Sequence, residues 1–126
     1  MNYELAKQLK LEKVKAYQRA NPEKIKENRR KTQWKIKLQT LAQYSDNVTD
    51  IKCNCCGEKE IKFLTIDHIN NDGASHRKSI KCHTGAGSFY YWLKRNGWPS
   101  GYQVLCMNCN LGKSLYKICP HQSHTI

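Results

Sequence analysis

Three observations predict an α+β fold in which a basic helical arm precedes a small cysteine-stapled domain. The cysteines of "CNCCGE" (53–58) and "CMNC" (106–109) form two CxxC pairs. Two short apolar runs, residues 61–67 and "YQVLC" (102–106), read as strands bounded by turn residues. Ahead of both pairs lies a stretch of 44 residues that is dense in Lys and Arg and carries helix punctuation at one point.

Residues 1–44 hold twelve Lys/Arg against four acids, so +8 of the chain's +12 net charge sits in about a third of its length. Such an arm suits a polyanion, and nucleic acid is the first expectation. The bland alternative is a solvated, charged helix face. "KVK" (13–15), "KIK" (24–26) and "KIK" (35–37) recur every eleven residues, a spacing that lets them share one helical stripe. "NP" at 21–22 interrupts: Asn21 can cap, and Pro22 can take the first helical position. Two helices are therefore expected, 3–20 and 22–43. Ile25, Trp34, Ile36, Leu38 and Leu41 do not form one clean apolar stripe, so the second helix is expected to need DNA or the globular part for order. Lys24, Lys26, Arg29, Arg30 and Lys35 are the expected phosphate contacts of the arm, made without base specificity.

The organisation expected from these signals is an arm over 1–44, a polar linker over 45–52 ("SDNVTD" at its core) and a domain over 53–126. Within the domain, "CNCCGE" is a tight turn and 61–67 a strand. A polar loop follows to about residue 86. "GSFYYWLKRNG" (87–97) reads as a short helix stopped by Gly97, "WPSG" as a turn, 102–106 as the second strand, and 107–117 as a final helix weakened by Gly112. Phe89, Tyr90, Tyr91 and Trp92 at successive positions of that short helix are expected to form core rather than stack on bases.

Hydrophobic residues make up 39% of the chain and mean hydropathy is −0.79, so a large core is not expected. A domain this small commonly needs a disulfide, a metal or a partner. Seven cysteines would leave one thiol over in a closed disulfide framework. "MNYELAKQLK" lacks a signal peptide's apolar core, and no apolar run approaches membrane-spanning length. A cytoplasmic, reducing setting with no membrane partner is expected, where paired CxxC motifs more often hold zinc than disulfides. Two residues between cysteines let both thiolates reach one tetrahedral ion, and Cys53, Cys56, Cys106 and Cys109 make a four-thiolate zinc site. Cys55 is then a spare thiol. Cys82-His83 and Cys119-Pro120-His121 could make a second site, but their spacings do not match a knuckle.

The 49 residues between the knuckles are too many for a simple zinc ribbon. They open with "FLTIDHINNDG" (63–73), in which a strand ends in Asp67 and His68. Asp67 is a hard oxygen ligand suited to magnesium or manganese. His68 can take a proton from water near neutral pH. Neighbours on a strand face opposite ways, so the two can flank one phosphate only where the strand ends. Taken alone, the pair would read as a capping acid and a surface histidine. Asn110 changes this: it follows Cys109 directly, and a final helix packed on the hairpin would let its amide oxygen meet the ion held by Asp67. "GKS" at 112–114 imitates a phosphate-binding loop, but Met107 stands where that motif needs glycine.

"CxxC – DH – CxxCN", with "HRK", "FYYWLKRNGWP", "GYQVLCMNCNLGKS" and "CPHQ", resembles the HNH, or ββα-metal (His-Me finger), nuclease superfamily. The likeness is to its zinc-stapled branch, which includes recombination endonuclease VII and many small phage proteins, and it covers about residues 50–122. It implies a phosphodiester hydrolase that cuts or nicks double-stranded DNA inside a phage-infected host cell. Asp67 and Asn110 would hold a catalytic Mg²⁺ or Mn²⁺, His68 would be the general base, and Cys53, Cys56, Cys106 and Cys109 would hold structural zinc. Arg77, Lys78 and Lys113 are expected phosphate contacts. His76 is an auxiliary phosphate or metal candidate, although a surface-loop role fits it better. A homodimer is open as the assembly. The departure is at Gly101, where many members carry an asparagine that braces the loop and orients the base. Two rival readings are a non-catalytic zinc-stabilised DNA-binding protein and an RNA- or ribosome-associated zinc protein.

Overall fold

The computed structural model describes residues 2–73 and 86–123. Among them the chain is α+β, with four α-helices and one two-stranded antiparallel sheet. It divides into two compact units, Met1–Trp34 and Lys35–Ile126. His76, Arg77, Lys78, Cys82 and His83 lie outside the described residues.

Helix α1 spans Tyr3–Ala20. Asn2 caps it, its Oδ1 accepting from Leu5 N at 2.7 Å, and none of its residues is buried. Asn21 ends α1 by donating its side-chain amide to Tyr17 O (2.9 Å). Its own carbonyl accepts from Ile25 N (3.1 Å), opening α2 (Pro22–Gln43) with proline at the first position, where no amide hydrogen is needed. The helix bounds match those expected from "NP".

The last two turns of α2 belong to the compact C-terminal unit. Ile36, Thr40 and Leu41 are buried at a helical spacing that points one stripe inward. Thr40 hides its hydroxyl by donating to Ile36 O (2.7 Å). The sequence reading assigned these residues to the arm, because the mean polarity of α2 conceals a stripe confined to its end.

The sheet pairs β1 (Leu64–His68) with β2 (Tyr102–Cys106), Leu64 opposite Cys106 and His68 opposite Tyr102. A single 3₁₀ turn, Ile61–Phe63, leads into β1, so the strand starts three residues later than expected. Helix α3 (Ala86–Arg95) contributes Phe89, Tyr90 and Leu93 to the core. Helix α4 (Met107–Tyr116) follows β2 without a linker and packs on both strands. The apolar core is Ile36, Leu41, Leu64, Ile66, Phe89, Tyr90, Leu93, Val104 and Leu105, completed by four buried cysteines. The cysteines thus supply core volume as well as ligands.

Tyr44 ties the end of α2's chain to the turn before β2. Its hydroxyl donates to Pro99 O at 2.6 Å, and its ring meets Trp98 and Tyr102 edge-on. Burial, then the nearby Tyr102 hydroxyl, push its pKa from 10.0 up to about 12. The fold therefore favours the neutral hydroxyl. That contribution is complete below the unfolded value of 10.0 and is lost as pH rises through about 12. Tyr44→Phe is expected to lower unfolding free energy by about 1 kcal/mol at neutral pH and to lessen the alkaline loss of stability in that window. Denaturant unfolding across a pH series measures both effects.

Candidate functional site

Two turns bring the cysteines together. In the first, Gly57 N donates to Cys53 O (3.0 Å) and Cys53 N to Glu58 O (2.8 Å), while Asn54 N joins the turn to β2 through Val104 O (2.8 Å). The amides of Cys55 and Cys56 both point at Cys53 Sγ (3.4 Å each). In the second, Cys106 caps α4, its Sγ accepting from Cys109 N at 3.4 Å. This is the knuckle arrangement, in which backbone amides face the sulfurs. Cys53, Cys56, Cys106 and Cys109 place their sulfurs within 4.8 Å of one another, and Cys56 and Cys106 Sγ are 3.6 Å apart. A tetrahedral zinc with bonds of about 2.3 Å separates its sulfurs by about 3.8 Å.

The electrostatics fit a cation. Burial would raise the Cys53 thiol, but the amides of Cys56, Cys106 and Cys55 outweigh it and bring the pKa down to about 7. Cys109 goes the other way: burial first, then the thiols of Cys106, Cys56, Cys53 and Cys119, hold it above the usual cysteine range. Four crowded sulfurs cannot all ionise unless positive charge joins them, and a bound divalent ion supplies it. The chain thus carries a cysteine cluster able to hold a structural metal such as zinc.

Asp67 and His68 close β1, and both are buried, at 6% and 9% exposure. Asp67 sits opposite Gln103, whose Nε2 donates to Oδ2 at 2.9 Å. Gln103 is itself held by Asn54 Nδ2 (3.0 Å), so the first knuckle reaches the carboxylate through two side chains. From α4, Lys113 Nζ makes a 2.7 Å ion pair with the same Oδ2 and donates to the carbonyls of His68 (2.7 Å) and Ile69 (2.9 Å). Both contacts end on Oδ2, and Oδ1 takes no hydrogen bond among the described residues. Lys113, expected as a phosphate contact, is a partner of Asp67 in this structure. Asn110 lies half-buried in the first turn of α4, three residues before Lys113.

His68 is held by rings. Phe89 stacks on it at 5.1 Å and Tyr102 meets it edge-on at 5.0 Å. The strand ends there: Ile69 N still pairs with Gly101 O (3.0 Å), and Asn71 N turns back to His68 O (3.1 Å). A Cβ at Gly73 would come within 3.1 Å of His68 Nδ1, so glycine lets the backbone lie against the imidazole. Sequence reasoning missed Gly73, Gln103 and Asn54. Only Gln103 left a signal, as the residue that hairpin register sets across from Asp67.

Lys24, Lys26, Arg29 and Arg30 are exposed on α2 within the N-terminal unit, and Lys35 is exposed at the start of the C-terminal one. The role expected of His76, Arg77 and Lys78 falls outside the described residues. Cys55, expected to be spare, lies 3.9 Å from His121 Nδ1 and is grouped with Cys109 and Cys119. Comparison with protein-family models, curated proteins and solved structures finds no match to this chain.

Two outcomes follow from the site. Chelating the metal should unfold the C-terminal unit, because binding of this kind contributes on the order of 10 kcal/mol to folding. Near-ultraviolet circular dichroism from its tyrosines and tryptophans should collapse and return with zinc, and an unchanged spectrum in metal-free protein would disprove the staple. Gly73→Ala should shift the His68 imidazole resonances in ¹H–¹⁵N spectra while leaving the cluster's metal content unchanged.

Proposed function

We propose that the chain is a metal-dependent DNA endonuclease of the HNH type, a nicking enzyme included, with a ββα-metal centre formed by β1, β2 and α4. The observation that carries this reading is the buried acid–imidazole pair at the open end of β1, with α4 fixed beside it by the cysteine cluster. A domain that only binds DNA has no need to bury an aspartate and a histidine side by side, given what burial of charge costs.

The donor set suits a hard divalent ion: a carboxylate with one oxygen that takes no hydrogen bond among the described residues, and an amide on the adjoining helix. Asp67 and Asn110 would hold Mg²⁺ or Mn²⁺, which supplies charge stabilisation at the phosphate and at the leaving oxygen. His68 accepts the proton of a water that attacks phosphorus in line. Stacking on Phe89 restricts the ring's orientation, so its lone pair is aimed before substrate arrives. Lys113 holds Asp67 in place, and its ammonium offers positive charge beside the carboxylate for a phosphate oxygen. The exposed Lys and Arg of α2 provide sequence-independent attraction to duplex DNA. The products expected are a 5′-phosphate and a 3′-hydroxyl.

One observation favours the second reading, a zinc-stabilised DNA-binding protein without catalysis. Lys113 already neutralises Asp67 at 2.7 Å, as it would in a purely structural ion pair.

Nicking of supercoiled plasmid with Mg²⁺ or Mn²⁺ separates the two. His68→Ala should reduce the rate by about 10²–10⁴-fold with DNA binding unchanged. Equal cutting by wild type and variant would remove His68 from the mechanism, and no cutting by wild type under any divalent ion would favour the binder. Separately, replacing Lys24, Lys26, Arg29 and Arg30 together by Gln should flatten the log–log salt dependence of duplex affinity by up to about 3.6. An unchanged slope would mean those residues do not meet phosphate.

A further inference from the structure

The chain segment after α4 folds back onto the cysteine cluster. Lys117 takes the left-handed conformation (φ 68°) and reverses the chain at the helix end. Two turns follow, Gln122 N to Cys119 O (2.8 Å) and Ser123 N to Pro120 O (3.2 Å). Gly112 makes room for them. A Cβ there would come within 2.8 Å of Pro120 Cδ, a ring atom bonded to backbone nitrogen that has no freedom to swing away. The mid-helix glycine that weakens α4 is what allows "CPH" to lie against it.

Three sulfurs then surround one nitrogen. His121 Nδ1 lies 3.4 Å from Cys109 Sγ, 3.4 Å from Cys119 Sγ and 3.9 Å from Cys55 Sγ. A neutral imidazole nitrogen has one lone pair and cannot accept from three thiols at once. The apex and base of a coordination tetrahedron have this arrangement, with N···S edges of about 3.6 Å for zinc bonded at about 2.1 Å to nitrogen and 2.3 Å to sulfur. All four ligand atoms fall within 4.8 Å of one another. Cys109 belongs to this group and also to the group with Cys53, Cys56 and Cys106.

We infer that the protein binds two zinc ions in a thiolate cluster, the second held by Cys55, Cys119 and His121 and joined to the first through a bridging Cys109 sulfur. The spacing "CxCC" acquires a reason: Cys53 and Cys56 serve one ion, and Cys55, between them at the tip of the turn, serves the other. The second ion's charge is balanced by its two additional thiolates, so the cluster gains a ligand set without gaining net charge. The histidine binds as the neutral imidazole. The effect is to tie the C-terminal segment, the first knuckle and α4 into one rigid corner.

This inference stands apart from the nuclease reading, because it concerns metal content alone. Native mass spectrometry of the full chain, expressed with added zinc, should find two ions per molecule. Cys119→Ser and His121→Ala should each carry one while keeping the wild-type near-ultraviolet spectrum. A wild type with fewer than two ions, or two ions retained in both variants, overturns the inference. Should the variants unfold, wild type loaded with ¹¹³Cd decides: two resonances mutually split through the shared sulfur support a bridge. A single resonance, or two without mutual splitting, overturns it.

Discussion

The convergence of the cysteine sulfurs beside the Cys106 end of the sheet is the constraint on which the rest depends. The apolar core is small, drawn from the last turns of α2, one hairpin and one short helix. A two-stranded sheet of five-residue strands is not stable by itself in water. The cysteines address this twice over. They fill core volume, and they offer a site where metal binding energy becomes folding energy. Cys106 sits at the centre of this arrangement, as the last residue of β2, the cap of α4 and a member of the four-sulfur group.

The same arrangement also links the cysteine turns to Asp67. Asn54 lies inside the first knuckle and holds Gln103, which holds Asp67. Lys113 lies one turn beyond the second knuckle and grips the same oxygen. The carboxylate is therefore positioned from both sides by elements whose own positions come from the cluster. Its neighbour His68 is placed by the opposite face of β1, against Phe89 and Tyr102. Two adjacent residues are oriented by two different packing systems, which is what a strand terminus makes available.

Much of this was legible from local signals. "NP" marked the helix break, and the two CxxC pairs marked the cluster. β-Branched and aromatic runs marked the strands, with "DH" at the end of one. What was not legible depends on where the chain comes back on itself. Ile36 and Leu41 look like scattered apolar residues in a basic helix until β1 and α3 supply a surface for them. Gly112 reads as a helix defect until Pro120 arrives beside it. Cys55 and "CPH" match no spacing rule because their partners are assembled by the reversal at Lys117, which a non-glycine residue in the left-handed conformation does not advertise. Gly73 has the same character, since its role is an approach to a ring five residues back.

The pairing of Leu64 with Cys106 ties the sulfur group to strand register. A slip of one residue in this short hairpin would turn every side chain to the other face. It would also carry the Cys106 sulfur away from the other sulfurs of its group. A four-sulfur group close enough to hold one ion therefore exists only where the strands are aligned correctly.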